Sequence, residues 1–346
     1  NQLDHIQQKQ LENECRWELE QIQVNHKRKD QELHDEIDTQ RRMRQDQRNP
    51  EKEKEDVNTT KTRQTQERER MDFRKLTMAA IACSVVTAAS PVLAHEMFLV
   101  AQEYETTSNS DQVMRLINGT FDKSENSIGR ERMANVSIIS DGSVTTPLED
   151  AWFDDEVSSY LNYKVEDAGT YAVGVSTRPS VITMSAEDFT GYLVHEGLTD
   201  TLASFESDNT LTEVSERYSK HVRAIVQVWD KRTDDFSQEF DYPVEIILDQ
   251  NPYELRFGDE IGFRVLYQGK PAANQIARAS YEGFHGHDDS GGHINAFNLR
   301  TDSDGRASFM LSNKAIWYIS LIHMEKVDET DADYESNWAT VTFEVD

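Results

Sequence analysis

Beyond residue 94 this chain has no cysteine; the only two, Cys15 and Cys83, lie upstream. Disulfides and thiolate metal sites are thereby excluded for residues 95–346. Basic charge is scarce in the same stretch. It holds 19 Lys and Arg against 46 Asp and Glu, a net of −27, whereas residues 1–94 sit near neutrality at −1. So acidic a body repels phosphate backbones and anionic headgroups, which argues against nucleic acid or anionic lipid as partners and leaves cations and basic surfaces. Signature motifs are missing too: there is no Gly-x-Ser-x-Gly elbow, no phosphate-cradling glycine loop and no His-Glu-x-x-His helix. Hydrolase and nucleotide chemistry lose their usual sequence support.

Long apolar runs are equally few, and one of them is informative. Met71-Asp-Phe-Arg-Lys75 is a short basic segment, Leu76 to Val86 carries no charge, and Pro91-Val-Leu-Ala94 places Val92 and Ala94 at the −3 and −1 positions of a signal-peptidase site. The pattern predicts a secretory signal over 71–94, cleavage after Ala94, and a mature protein of 252 residues starting at His95. That length suits one large domain or two small ones. Periplasmic export follows, with no stable membrane insertion after cleavage. Two alternatives remain open: lipidation at Cys83, preceded by Ala80-Ile-Ala but without the usual leucine, and a membrane helix over 76–93, short and interrupted by Pro91. Residues 1–70 are a charged, Gln-rich stretch with no glycine and no sustained heptad, and the chain begins with Asn. The expectation is that Met71 is the true start and that 1–70 are not native to the mature protein.

Past His95 the pattern is mostly β. Val113 to Ile117 runs into Asn118-Gly119, Ala134 to Ser140 runs into Asp141-Gly142, and Thr170 to Ser176 alternates; alternation closed by such pairs predicts strands and turns. A helical insertion is expected at about 185–220. Ser185-Ala-Glu-Asp188 approximates a capping box, Phe189, Tyr192, Leu193 and Glu196 form a stripe ended by Gly197, and a second helix is expected at about 211–220. Val222, Ala224, Val226 and Val228 then share a strand face. The expected fold class is two β-sandwich-like domains, 95–240 and 241–346. The second has about seven strands, with Gly269-Lys-Pro271 and Asp302-Ser-Asp-Gly305 as turns, in the manner of Ig-like and transthyretin-like modules.

Candidate chemistry rests on histidine. A histidine at a free N-terminus offers its α-amine and its ring to one ion, which makes His95 the anchor of an expected metal site. His285, His287 and His293 crowd into a segment with two aspartates and four glycines. Imidazole with carboxylate suits Ni²⁺, Co²⁺, Cu²⁺ or Zn²⁺; a solvated polar loop is the alternative. His323 shares a strand face with Trp317, Ile319 and Leu321 and is expected to be buried, either as a core histidine bonded to a backbone carbonyl or as a further ligand. His195 and His221 are expected on solvated faces.

Several segments together carry a family resemblance: Ala94-His-Glu-Met-Phe-Leu99, Asn118-Gly-Thr-Phe-Asp-Lys-Ser-Glu-Asn126, Ala168-Gly-Thr-Tyr171, Tyr192-Leu-Val-His-Glu-Gly197, Arg217-Tyr-Ser-Lys220, Asn251-Pro-Tyr253, Phe263-Arg-Val-Leu-Tyr-Gln-Gly-Lys-Pro271 and Trp338-Ala-Thr-Val-Thr-Phe343. They resemble the NikM-like periplasmic family, a domain of unknown function associated with nickel and cobalt uptake. The resemblance spans nearly all of 95–346 and none of 1–70. It implies an exported β-rich protein and a transition-metal ligand. With no second apolar run after residue 94, the implied role is a soluble accessory passing a divalent ion to a membrane uptake system, without catalysis. Two other readings stay open: a β-sandwich adhesion or assembly module binding protein or glycan, and a copper-dependent oxidase in which a second histidine braces the ion at His95.

Overall fold

The computed structural model describes residues 95–346 apart from 208–209, 285, 288–292 and 329–330. All of these fall in one compact unit, Thr87–Asp346. The signal segment 71–94, both cysteines and residues 1–70 lie outside the described residues.

The chain is mostly β. One large sheet forms the middle layer, in the order Phe297–Arg300, Ile276–Tyr281, Ala315–Lys326, Tyr334–Val345, Glu213–Val228, Gly169–Thr177, Met133–Ser140 and Ser143–Thr145. Tyr334–Val345 and Glu213–Val228 pair in parallel, from Glu216↔Tyr334 to Ala224↔Thr342. The other neighbours along this path are antiparallel. Strands from both sides of residue 240 therefore share one hydrogen-bonded sheet.

Glu213–Val228 shows why the layers stack as they do. Its even-numbered side chains Val222, Ala224, Val226 and Val228 are buried with Met97, Leu99, Met114 and Leu116 of a front sheet. That sheet is built from Glu96–Ala101, Ser110–Thr120, Ser159–Val165 and Trp152–Asp154. Its odd-numbered Ile225 joins the opposite core, with Val244, Ile246, Phe263 and Phe309 of a back sheet. The back sheet holds Val244–Leu248, Glu260–Tyr267, Lys270–Pro271 and Arg306–Met310. A two-residue side-chain period thus sends one strand into two cores. Phe263, Trp317 and Phe343 are fully buried in the back core. Each such side chain contributes roughly 1.5–3 kcal/mol by leaving water.

Local signals act as their chemistry requires. Asp141-Gly142 is a two-residue hairpin turn, both residues at positive φ, between Ser140 and its partner Ser143. Asn118-Gly119, in contrast, does not turn. The strand continues to Thr120, which pairs with Lys123, because Asn118 is held inside the front sheet opposite Met97. Ser185 caps the helix Ala186–His195 by accepting from the Asp188 N–H, and Gly197 leaves that helix at φ 65°. The second helix is Thr199–Ser207, not 211–220. Residues 213–220 are strand because they pair on both sides, with Ser180–Ser185 and with Tyr334–Val345, so their polar side chains find tertiary partners that no helical period reveals. Phe189, Tyr192, Leu193 and Phe205 seat the helices on Ile322, Tyr334 and Trp338 of the middle sheet.

Candidate functional site

The apolar even row of Glu213–Val228 gives way to Lys220, Tyr218 and Glu216, which border a cavity of about 460 Å³ together with His95, the residue before the first strand of the front sheet. Asn118, Arg132 and Thr177 add polar wall, and Ile128, Ile182 and Met184 add apolar wall.

Lys220 is 7% exposed. Its ammonium donates to the His95 carbonyl and, at 3.1 Å, to Asn118 Oδ1. The rings of Tyr218 and Trp338 lie 5.9 and 5.5 Å away. Among the described residues no carboxylate forms an ion pair with it, and burial pushes its pKa down to about 8. Glu216 is 1% exposed. Its Oε1 accepts from the Tyr192 hydroxyl at 3.2 Å and from the Ser336 hydroxyl, while Oε2 takes no hydrogen bond among the described residues. Burial raises its pKa, opposed by those two donors. On the same face of the middle sheet, Arg278 binds Glu196 at 2.8 Å and Glu96 at 3.1 Å, a closed ionic pairing.

His95 stands at the rim. Its Nε2 lies 3.2 Å from Glu125 Oε2, and both side chains are part-exposed. His323 is buried as its strand face predicts, but its ring partner is a side-chain amide rather than a backbone carbonyl. Nδ1 is 3.0 Å from Gln275 Oε1, Nε2 is 3.1 Å from Glu325 Oε1, and the ring packs 3.9 Å from that of Tyr267. Burial lowers its pKa, opposed by the Glu325 carboxylate. His323 borders a different, smaller hollow with Asp200 and Gln275. Ser320, on the opposite parity, reaches Glu96 of the front sheet. His95 and His323 therefore sit on opposite faces of the middle sheet and do not converge. The backbone pairs His287 directly with His293 in a two-stranded ribbon, Gly286–His287 with His293–Ile294; His285 lies outside the described residues. Among the described residues no group of three or more His, Cys, Asp and Glu is arranged to hold a metal ion. The His95–Glu125 pair thus offers two side-chain donors.

His195 is exposed as expected. His221 is not: it is 3% exposed. Its odd-numbered face, polar in sequence, is covered by the back sheet. The ring bonds Ser176 Oγ through Nδ1 at 2.9 Å and Asn337 Oδ1 through Nε2 at 3.1 Å. Asn337 Oδ1 accepts, so Nε2 carries the proton and Nδ1 accepts from the Ser176 hydroxyl, which is the neutral ring. Sequence reasoning overlooked Lys220 and Glu216. The available signal was parity: Lys220 is in register with the buried row 222–228, and a lysine in phase with a core row is either paired or lining a cavity.

Among the described residues no helix is long and apolar enough to cross a membrane. No curated protein matches the chain. Among solved structures it is similar to the D0-D1 domain of intimin (10% identity, covering 72% of this chain and 98% of that one, TM-score 0.19). It is also similar to the Yersinia pseudotuberculosis adhesin InvE (14%, 72% and 59%, TM-score 0.18) and to an Escherichia coli alpha-2-macroglobulin activated by porcine elastase (11%, 72% and 20%, TM-score 0.20). Likeness at such TM-scores says nothing of function. The model of a domain of unknown function, DUF4198, matches residues 92–325, well over half of the chain, and the chain belongs to that family.

Proposed function

We propose that this is an exported, non-catalytic protein that binds one divalent transition metal at His95. The observation that carries the reading is the His95 ring standing 3.2 Å from Glu125 Oε2 at the rim of the cavity. Imidazole and carboxylate are two donors suited to Ni²⁺, Co²⁺, Cu²⁺ or Zn²⁺. Signal cleavage after Ala94 supplies the third, the α-amine of His95. Lys220 pins the His95 carbonyl and so fixes the main chain that carries the other two donors. The family match names no metal, and the association with nickel or cobalt uptake rests on the sequence resemblance alone. An oxidase would brace copper with a second imidazole. The nearest charged partner of the His95 ring is instead a carboxylate, which favours binding over redox chemistry.

Two measurements test this. N-terminal sequencing of the exported protein is expected to read His-Glu-Met; a mature chain that keeps residues 71–94 removes the amine and the reading with it. Titration calorimetry on the mature protein is expected to give one bound ion, with affinity reduced at least tenfold, roughly 1.4 kcal/mol, by His95→Ala and unchanged by the exposed His195→Ala. If His95→Ala binds as the wild type does, the adhesion or assembly module becomes the better reading.

A further inference from the structure

Lys220 and Glu216 pose a question that the metal reading leaves unanswered. They lie four residues apart on one face of one strand, are almost fully buried, and border the same cavity. Yet no ion pair joins them. Buried ions are costly unless paired, and elsewhere this protein pairs them closely, as at Arg278 with Glu96 and Glu196. Here the ammonium spends two protons on neutral oxygens, His95 O and Asn118 Oδ1, which leaves its third proton without an acceptor among the described residues. The carboxylate takes both of its hydrogen bonds on Oε1 and leaves Oε2 open. Two opposite charges held apart across one cavity match a ligand with the reverse pair.

We propose that this cavity binds a free α-amino acid with an apolar side chain, its carboxylate on Lys220 and its ammonium on Glu216 Oε2. Net neutrality of the zwitterion leaves the site's charge balance unchanged, which a phosphate or dicarboxylate placed beside Glu216 and Glu131 would not. Asn118 and Thr177 offer further polar contacts, and Ile128, Ile182 and Met184 offer apolar wall for the side chain. The volume, about 460 Å³, falls in the range of roughly 300–1,000 Å³ common to small-molecule sites. The ligand needs no metal, so this goes beyond the reading at His95.

The test is titration calorimetry on the exported protein in a buffer containing EDTA, with L-leucine, L-valine and L-methionine as probes. Two half-ligands accompany them: 4-methylpentanoate, which lacks the amine, and isoamylamine, which lacks the carboxylate. At least one amino acid is expected to bind, and each half-ligand to bind at least tenfold more weakly. Lys220→Met is expected to weaken the amino acid at least tenfold and leave isoamylamine unchanged. Glu216→Gln is expected to weaken the amino acid at least tenfold and leave 4-methylpentanoate no weaker. Absence of binding by all three amino acids overturns the proposal, and so does equal affinity for leucine and 4-methylpentanoate. Both of those outcomes are read on the wild type, so a variant that fails to fold does not blunt them. Because EDTA removes metal, failure here leaves the His95 site standing, and failure of the metal titration leaves this site standing.

Discussion

The strand Glu213–Val228 carries buried charge on both faces and treats it in opposite ways. Facing the back sheet, Arg223 and Glu245 are each 4% exposed and 3.0 Å apart. Glu245 also accepts from the Phe240 and Tyr242 N–H groups, and Arg223 donates to the Gln238 carbonyl and lies 4.8 Å from the Phe240 ring. His221, beside them, is bonded at both ring nitrogens. Facing front, Lys220 and Glu216 are as deeply buried but have no ionic partner. Burial alone does not separate scaffold from site. Saturation does: where every donor and acceptor is used the charge serves the fold, and where a cavity faces an open valence the charge is available to a ligand.

Breaking the saturated face gives the largest expected effect. Arg223→Ala strands the Glu245 carboxylate in the back core with only two N–H donors. Removing one member of a buried pair costs about 3–5 kcal/mol, so urea unfolding is expected to show a loss of that size. A loss under ~1 kcal/mol would mean that water reaches Glu245 and that the back face is less closed than its hydrogen bonds imply.

His221 sharpens the same comparison through pH. Burial pushes its pKa from the ordinary 6.5 down to about 4, opposed only by the Asn337 contact. Between those values the unfolded chain binds a proton that the folded chain does not. Stability therefore falls as pH drops through that window, by about 1.4 kcal/mol per pH unit and ~3 kcal/mol in all, and is fully present above pH 6.5. Glu216 and Glu245, whose pKa values are raised, pull the other way at the acid end. The informative quantity is thus the difference between wild type and His221→Gln, whose unfolding curves are expected to converge as pH falls from 7 to 4. Parallel curves would mean that the folded ring takes up its proton as readily as the unfolded chain does, and that burial between Ser176 and Asn337 does not hold it neutral.

Much of this contrast was legible in the residues, but only one face at a time. The row Val222 to Val228 declared a core, Asp141-Gly142 declared a hairpin, and Ser185 declared a helix start, because each is a local rule satisfied by local chemistry. His221, Arg223 and Gln227 read as a solvated row because alternation tells which residues share a face and never what covers it. The covering sheet begins at Val244, sixteen residues beyond the end of this strand, and Glu245 looks like any other acid in so acidic a chain. The expected helix at about 211–220 is strand for a related reason. Glu216 and Lys220 look like helix-surface charges, and only Tyr192, Ser336 and Asn118, brought from three other segments, show that they are inside. The histidines divide in the same way. His95 meets its carboxylate across the front sheet, while His323, in phase with Trp317 and Leu321, is turned to the other side.

Lys220→Met carries the smallest expected change in stability and the sharpest distinction between the faces. The substitution removes a desolvated ammonium that no carboxylate contacts among the described residues, although Glu96, Glu196 and Glu216 favour its charge from further off, and it also removes donors to the His95 carbonyl and Asn118 Oδ1. A typical net hydrogen bond is worth about 0.5–1.5 kcal/mol, while removing the ammonium also removes the cost of keeping a charge out of water. The two terms oppose, and the two oxygens left behind face a cavity that water can enter. Stability is expected within ~1 kcal/mol of wild type, by the urea measurement used for Arg223→Ala. Thus Arg223→Ala should damage the fold, whereas Lys220→Met should leave the fold and remove only what the cavity holds. A loss of 3 kcal/mol or more in Lys220→Met would make Lys220 a structural ion like Arg223 and close the front face as a site.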